Sequence, residues 1–287
     1  MLLLFYFCGL IIDNNTLMFR VAILQYPIVW ADKEANLRAA VRRIKRLKGK
    51  ADLALLPEMF TTGFCTDRPE LAETTDGRTM QTLQRTADET GVAVCGSFIC
   101  EEITTTRLND TEQEQKTLYN RGFFLRPDDK PTFVDKAHLY AHSHEDRFFT
   151  AGNDRTIFEY KGVRMRLIIC YDLRFPLWAR NDMDHPYDLL LVSANWPEIR
   201  IQYWDALIAA RGTENQCYIC ASNPVGDDGI GLHYNGHSVA YDTRLTPLVR
   251  FPDNAQGTRI AEFDIDKLHH FREALPLWKD ADRFRLL

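Results

Sequence analysis

The sequence predicts a single α/β domain built on mixed sheets, and three observations carry that expectation. From residue 18 onward, short apolar runs alternate with amphipathic segments, the pattern of strands interleaved with helices. Residues 118–125 and 132–136 flank the turn Arg126-Pro127-Asp128-Asp129-Lys130-Pro131, a hairpin-like pair. No linker, repeat or break in composition divides the chain, and 287 residues suffice for one large domain.

Taken in order, residues 19–26 are rich in β-formers and make a first strand. Asp32 is placed to cap a helix, with Glu34 in its favourable first turn. Leu37, Val41, Ile44 and Lys48 then repeat at spacings of four or three, so one stripe is mostly apolar while Arg38, Arg42, Lys45 and Arg46 face away. Residues 53–56 read as a short buried strand, 79–90 as a second helix and 92–99 as another strand. Further strands fall at 163–169, 189–193 and 218–222, with helical spacing over 201–214 between the last two. Residues 101–116 are polar, Thr-rich and without apolar periodicity, and are expected to form an exposed loop.

Lys+Arg 35 against Asp+Glu 40 gives a net charge of -5, with no basic run to supply a footprint for nucleic acid. Seven cysteines, an odd number scattered through a long chain, argue against a disulfide framework and for a reducing, cytoplasmic setting. Residues 1–12 are nearly all apolar, yet no Lys or Arg precedes Arg20 to make the charged region of a signal peptide. The run is also shorter than the roughly 20 residues of a spanning helix, so no membrane partner is expected. The expectation is a start placed too early: residues 1–17 as an apolar leader outside the domain, and residues 18–287 as the domain itself. A weak anchor or export leader is the alternative.

Three charged or nucleophilic residues stand at the ends of apolar strands, where ligands of open α/β sheets bind. Cys170 closes Ile168-Ile169 and opens Tyr171-Asp172-Leu173-Arg174-Phe175-Pro176 at a strand-to-helix turn, where nearby helix amides would favour a thiolate. Glu58 follows Leu55-Leu56-Pro57, and Lys136 follows Val134-Asp135. Singly, each has a plain alternative as a core cysteine or a surface charge. Together they form an acyl-transfer set. Glu58 would accept the thiol proton and later activate water, while Cys170 attacks a carbonyl carbon. Lys136 and the backbone N–H of Tyr171 would hold the oxyanion, each such donor being worth about 10²–10³ in rate.

The blocks Pro57-Glu58, Asp135-Lys136-Ala137-His138-Leu139 and Cys170-Tyr171-Asp172-Leu173-Arg174-Phe175-Pro176 resemble the three signatures of the nitrilase (carbon–nitrogen hydrolase) superfamily. The resemblance runs from Phe19 to about Phe263 and includes Ser193-Ala194-Asn195-Trp196-Pro197 and Tyr234-Asn235-Gly236-His237-Ser238. It implies a four-layer α-β-β-α sandwich with two mixed sheets, a Glu58–Lys136–Cys170 triad, and no metal or cofactor. It also implies a homodimer or higher homo-oligomer formed through the outer layers. Glu145 stands where the family carries a second glutamate that positions the lysine and substrate; Tyr140 departs mildly from the family's Phe. The flanks of Glu58 and Cys170 resemble the omega-amidase branch. That branch implies a small-molecule amide substrate, the terminal amide of a 2-oxo dicarboxylic acid monoamide such as 2-oxoglutaramate or 2-oxosuccinamate. Tyr171, Arg174, Trp196 and Phe64 are the expected substrate-binding residues, with Arg174, Arg147 and Arg211 as candidates for its carboxylate. Another aliphatic amidase, an N-carbamoyl-amine hydrolase or a nitrilase of the same superfamily is the alternative.

Other signals point elsewhere. His138, His142, His144 and Glu145 cluster in sequence but lack a metal-site pattern. Cys217-x-x-Cys220 lies within an apolar strand and reads as core packing rather than as a redox pair.

Overall fold

The computed structural model describes residues 16–108, 111–182, 184–282 and 284. In chain order the elements are β1 (Met18–Gln25), α1 (Lys33–Lys45), β2 (Leu53–Leu55), α2 (Arg78–Thr90), β3 (Ala93–Leu108), β4 (Thr111–Leu125) and β5 (Thr132–Asp135). There follow β6 (Ile157–Tyr160), β7 (Val163–Ile169), α3 (Pro176–Ala179), β8 (Leu189–Ser193), α4 (Ile201–Glu214) and β9 (Tyr218–Ser222). The last elements are β10 (Val225–Asp227), β11 (His233–Asn235), β12 (Val239–Tyr241), β13 (Pro247–Arg250), β14 (Gly257–Asp264) and α5 (Ile265–Ala274).

Two six-stranded mixed sheets result, ordered β14-β1-β2-β3-β4-β5 and β13-β12-β9-β8-β7-β6, with β10 and β11 as a separate hairpin. Alternation along the strands sorts the layers. Val21, Ile23, Leu53, Leu55 and Cys95 point into the core shared with Met165, Leu167, Ile169, Leu189 and Leu191 of the second sheet. Their neighbours Ala22, Leu24, Ala54, Leu56 and Val94 pack instead on Leu37, Ala40 and Ile44 of α1 and Met80, Leu83 and Ala87 of α2. Trp204 and Ile208 of α4 extend the core beyond the second sheet. This is the α-β-β-α sandwich. At Gly122 a Cβ would come within 2.7 Å of Leu167 Cδ2, so that position must stay bare for the sheets to meet.

The local signals behave as expected where chemistry dictates them. Asp32 accepts the Ala35 N–H at 2.9 Å and starts α1, and Gly91, with φ +71, ends α2 in a left-handed cap. The loop expected at 101–116 is a correction. β3 and β4 continue through it in unbroken antiparallel register, with Glu101 opposite Leu118 and Thr105 opposite Glu114. Glu102, Ile103, Thr104 and Thr105 are exposed, so no alternation of apolar residues marked the strands, while their β-branched content did. Strands β6 and β10–β14 and helix α5 were not read from the sequence.

The leader expected at residues 1–17 lies outside the described residues as far as residue 15. Leu17 itself donates its N–H to Asp266 at 3.0 Å and accepts the Ile265 N–H at 3.1 Å. Among the described residues no helix is long and apolar enough to cross a membrane.

Candidate active site

Three of the four predicted catalytic residues are delivered by strand ends, and the fourth by a short turn. Glu58 lies just beyond β2, Lys136 directly follows β5, Glu145 opens the 3-10 turn Glu145–Arg147, and Cys170 directly follows β7. The two sheets therefore meet at the site, the carboxylates and lysine coming from one side and the thiol from the other. Glu58, Lys136 and Glu145 are fully or almost fully buried. Lys136 Nζ donates to Glu58 Oε1 at 2.9 Å and to both Glu145 oxygens at 3.0 and 2.8 Å. The Cys170 thiol donates to the Asn195 carbonyl at 3.8 Å and lies near enough to Glu58 and Lys136 to feel both charges.

The remaining lone pairs of both carboxylates are also satisfied. Asn120, buried in β4, donates from Nδ2 to Glu58 Oε1 at 2.8 Å and to Glu145 Oε1 at 3.0 Å. The Asn195 N–H donates to Glu58 Oε2 at 2.9 Å, and the Tyr140 N–H to Glu145 Oε2 at 2.6 Å. Buried charges persist only with such pairing. Sequence reasoning missed Asn120. Its one signal is a polar residue at an inward position of an otherwise apolar strand segment.

Cys170 adopts φ +45, a conformation a non-glycine residue holds only when its surroundings enforce it. Asp172 does the enforcing. Its Oδ2 accepts the Ile169 N–H at 3.1 Å, and its Oδ1 accepts the His138 N–H at 2.9 Å and meets His138 Nδ1 at 2.8 Å. The elbow that carries the thiol is thereby tied to the loop that carries Lys136.

The electrostatics correct one expectation. Helix amides were expected to favour a thiolate, but burial pushes the Cys170 thiol well above its usual range, and Glu58 pushes it further while Lys136 opposes. Burial also raises Glu58, with Glu145 adding to the effect and Lys136 opposing. For Lys136, burial works downward, but Glu145 and Glu58 outweigh it and the ammonium ends above its usual range.

Above Cys170 lies a pocket of about 60 Å³ whose wall includes Phe64, Lys136, Tyr171, Arg174, Trp196 and Tyr234. All four expected substrate-binding residues line it. The Phe64 ring sits 5.2 Å from Lys136 Nζ. Arg174 is held between the Trp196 and Tyr203 rings, 5.0 Å from each. Stacking uses the guanidinium faces and leaves its in-plane donors open. Arg200 also lines the pocket, 5.4 Å over Tyr140, and was not foreseen. The other two arginine candidates fall away. Arg211 is buried in α4 and pairs with Glu214 at 3.1 Å, and Arg147 is exposed and off the pocket wall.

A model of the carbon–nitrogen hydrolase family matches residues 20–273. The chain is 37% identical over 268 residues to omega-amidase YafV of Escherichia coli, covering 93% of this chain and 98% of that protein. It is 30% identical over 265 residues to the 2-oxoglutaramate amidase of Bacillus subtilis, covering 91% and 96%. A CN-hydrolase superfamily protein from Xanthomonas campestris superposes with a TM-score of 0.85 at 33% identity, over 94% of this chain and 99% of that one. Nit3 of Saccharomyces cerevisiae, a member of branch 10 of the nitrilase superfamily, gives 0.77 at 25% identity, over 91% and 95%.

Proposed function

The chain belongs to the carbon–nitrogen hydrolase family, and from that premise we propose that it hydrolyses the terminal amide of a small 2-oxo dicarboxylic acid monoamide, 2-oxoglutaramate or 2-oxosuccinamate, releasing ammonia. The observation that carries this reading is the meeting of a buried Glu58–Lys136–Glu145 cluster and the Cys170 thiol beneath a small pocket. Two arginines without a carboxylate partner among the described residues line that pocket. The omega-amidase and 2-oxoglutaramate amidase relatives support the choice of substrate.

In the proposed cycle Glu58 takes the thiol proton as Cys170 attacks the amide carbon. Lys136 and the Tyr171 N–H stabilise the oxyanion, and Glu58 returns the proton to the departing ammonia. Water, activated by Glu58, then hydrolyses the thioester. Glu145 and Asn120 position Lys136 and Glu58 and do not exchange protons. Ammonia release across a panel of omega-amides, N-carbamoyl compounds and nitriles tests the assignment. Preference for the 2-oxo acid amides is expected, and strong preference for a nitrile or an N-carbamoyl compound refutes it.

Two further outcomes follow from the same geometry. Arg174→Ala and Arg200→Ala should each raise KM for 2-oxoglutaramate about 10- to 100-fold, the worth of one charged hydrogen bond of about 1.5–3 kcal/mol. Turnover of a neutral amide should be little affected; equal losses on charged and neutral amides would remove both residues from carboxylate recognition. The pH profile of kcat/KM should fall on the acid side as Glu58 takes up a proton, because a protonated carboxyl cannot accept one from the thiol. Since Glu58 is raised in the folded enzyme, the acid limb should lie above the ordinary glutamate value of about 4.3. A limb at or below that value would contradict the role of Glu58.

We also propose that residues 18–287 act as one catalytic domain in the cytoplasm and pair as a homodimer or higher homo-oligomer. Exposed Leu177 of α3, Ile199 just before α4 and Tyr203 of α4 support the pairing as apolar surface on the outer layer.

A further inference from the structure

Arg166 sits in β7, on the strand that ends at Cys170, and is only 3% exposed. Its guanidinium carbon lies 5.5 Å from the Trp178 ring of α3, so it is caught between the second sheet and the outer helix. Among the described residues its guanidinium makes no hydrogen bond or ion pair, and Nη2 is a buried donor without a partner. Arg155 is the neighbouring cation. It precedes β6, whose Ile157 lies opposite Arg166 in the ladder. Arg155 Nη2 donates to the Arg180 carbonyl at 2.7 Å, while its Nε is also buried and unpartnered. A buried guanidinium without an anion costs several kcal/mol; Arg166 is one, and the half-buried Arg155 is near enough to repel it.

The surroundings show the same imbalance. Burial first, then repulsion from Arg155, holds Arg166 down to about 10, against a weaker pull from Tyr187, Asp172 and Asp154, none of which bonds to it. A groove of about 630 Å³ opens at Arg155, lined also by Arg180, Asn181 and Lys279, with Asp182, Asp184 and Asp282 on its wall; Arg166 is not on that wall and would be reached past Arg155. None of those three carboxylates bonds to either arginine. The substrate pocket shares no residue with this groove.

We propose that Arg155 and Arg166 form a second binding site, a seat for one small oxyanion, carboxylate or phosphate, reached from this groove on the outer-helix side of β7. The planar arginine fork matches either oxyanion with paired N–H donors, and one such group can satisfy both side chains. Occupancy ties β6 and β7 to α3. Trp178 of α3 meets the His138 ring edge-on at 5.6 Å, and His138 bonds to Asp172 beneath the catalytic elbow. The seat thus braces the elbow from behind without touching substrate.

Thermal unfolding of the full chain in inorganic phosphate and in acetate, each against chloride at equal ionic strength, tests this. A saturable rise in Tm of about 2–4 °C is expected once the anion exceeds its Kd several-fold. The rise should persist in the double variant Arg174→Met, Arg200→Met, which removes both pocket arginines, and vanish in Arg155→Gln and Arg166→Met. Response to phosphate alone assigns a phosphate group and response to acetate alone a carboxylate; either supports the seat. Equal shifts in wild type and Arg155→Gln, or no oxyanion-specific shift in wild type, overturn it. So does loss of self-association in Arg166→Met without any anion effect, which assigns the seat to a carboxylate of a second copy. If Arg166→Met fails to fold, Arg155→Gln carries the comparison.

Discussion

Cys170→Ala should abolish ammonia release, with kcat falling on the order of 10⁶-fold, the scale seen when a catalytic nucleophile is removed from an enzyme of the acyl-transfer type. The fold should survive. Deleting one sulfur from a site already next to a cavity removes about one methylene's worth of burial, about 0.8 kcal/mol, and the hydrogen bonds of Asp172 that shape the elbow are untouched. Far-UV circular dichroism and Tm near wild type, with no turnover, is the expected pair of results. Residual activity near wild type would dismiss the thiol mechanism. Chemical labelling gives an independent reading of the same residue. Cys65, Cys95, Cys100, Cys217 and Cys220 are buried, and none of them lines the substrate pocket. Cys170 lines the pocket beside a base, so iodoacetamide mapped by mass spectrometry should modify it first among these, and substrate amide should protect it.

Lys136→Met carries the second large effect, and it falls on stability as well as rate. The substitution leaves Glu58 and Glu145 facing each other without the ammonium between them. Breaking a buried ion pair from one side costs about 3–5 kcal/mol, a drop in Tm of about 6–20 °C at 2–4 °C per kcal/mol. Activity should fall at least about 10²–10³-fold through loss of the oxyanion donor. The two losses can be separated. Adding Glu145→Gln to Lys136→Met removes one of the stranded charges and should recover part of the stability but none of the turnover. Linkage fixes the pH dependence. Glu58 is raised in the folded state, so proton uptake there favours folding below its unfolded value, and that contribution is lost as pH rises through the folded value. Without Lys136 the folded value rises further, so the variant should be relatively more stable in mild acid. A Tm unchanged from wild type at neutral pH would show that the cluster is not held by Lys136.

What could be read in advance follows from where each residue sits. Glu58, Lys136 and Cys170 were legible because each interrupts an apolar run at a strand end, where a charge or thiol is conspicuous. Asn120 was not. It lies mid-strand between Tyr119 and Arg121, and only the pleat turns it inward toward Glu58 and Glu145. Arg200 was missed because a charge just ahead of a helix looks like surface, and only the turn after Pro197 swings it over Tyr140. The long β3–β4 hairpin failed for the opposite reason: with its outer part exposed it offers no apolar periodicity, although the pairing itself is local in sequence. The sandwich itself was economical to infer because its inner strands are apolar on both faces.

The buried cluster has a last effect, on the end of the cycle. Two carboxylates face one ammonium, so with both ionised the floor of the pocket holds one negative charge in excess. An amide arrives there neutral and ammonia leaves neutral. The acid formed at the same carbon is an anion, pressed against a floor of like sign in a medium that screens poorly. In the proposed binding mode, the arginines at the wall would grip the far carboxylate equally in substrate and product, and so would not distinguish the two. The floor would. On the proposed cycle, product expulsion would follow from the charge count of these residues, and the back reaction of ammonia with the free acid would be disfavoured at the same step.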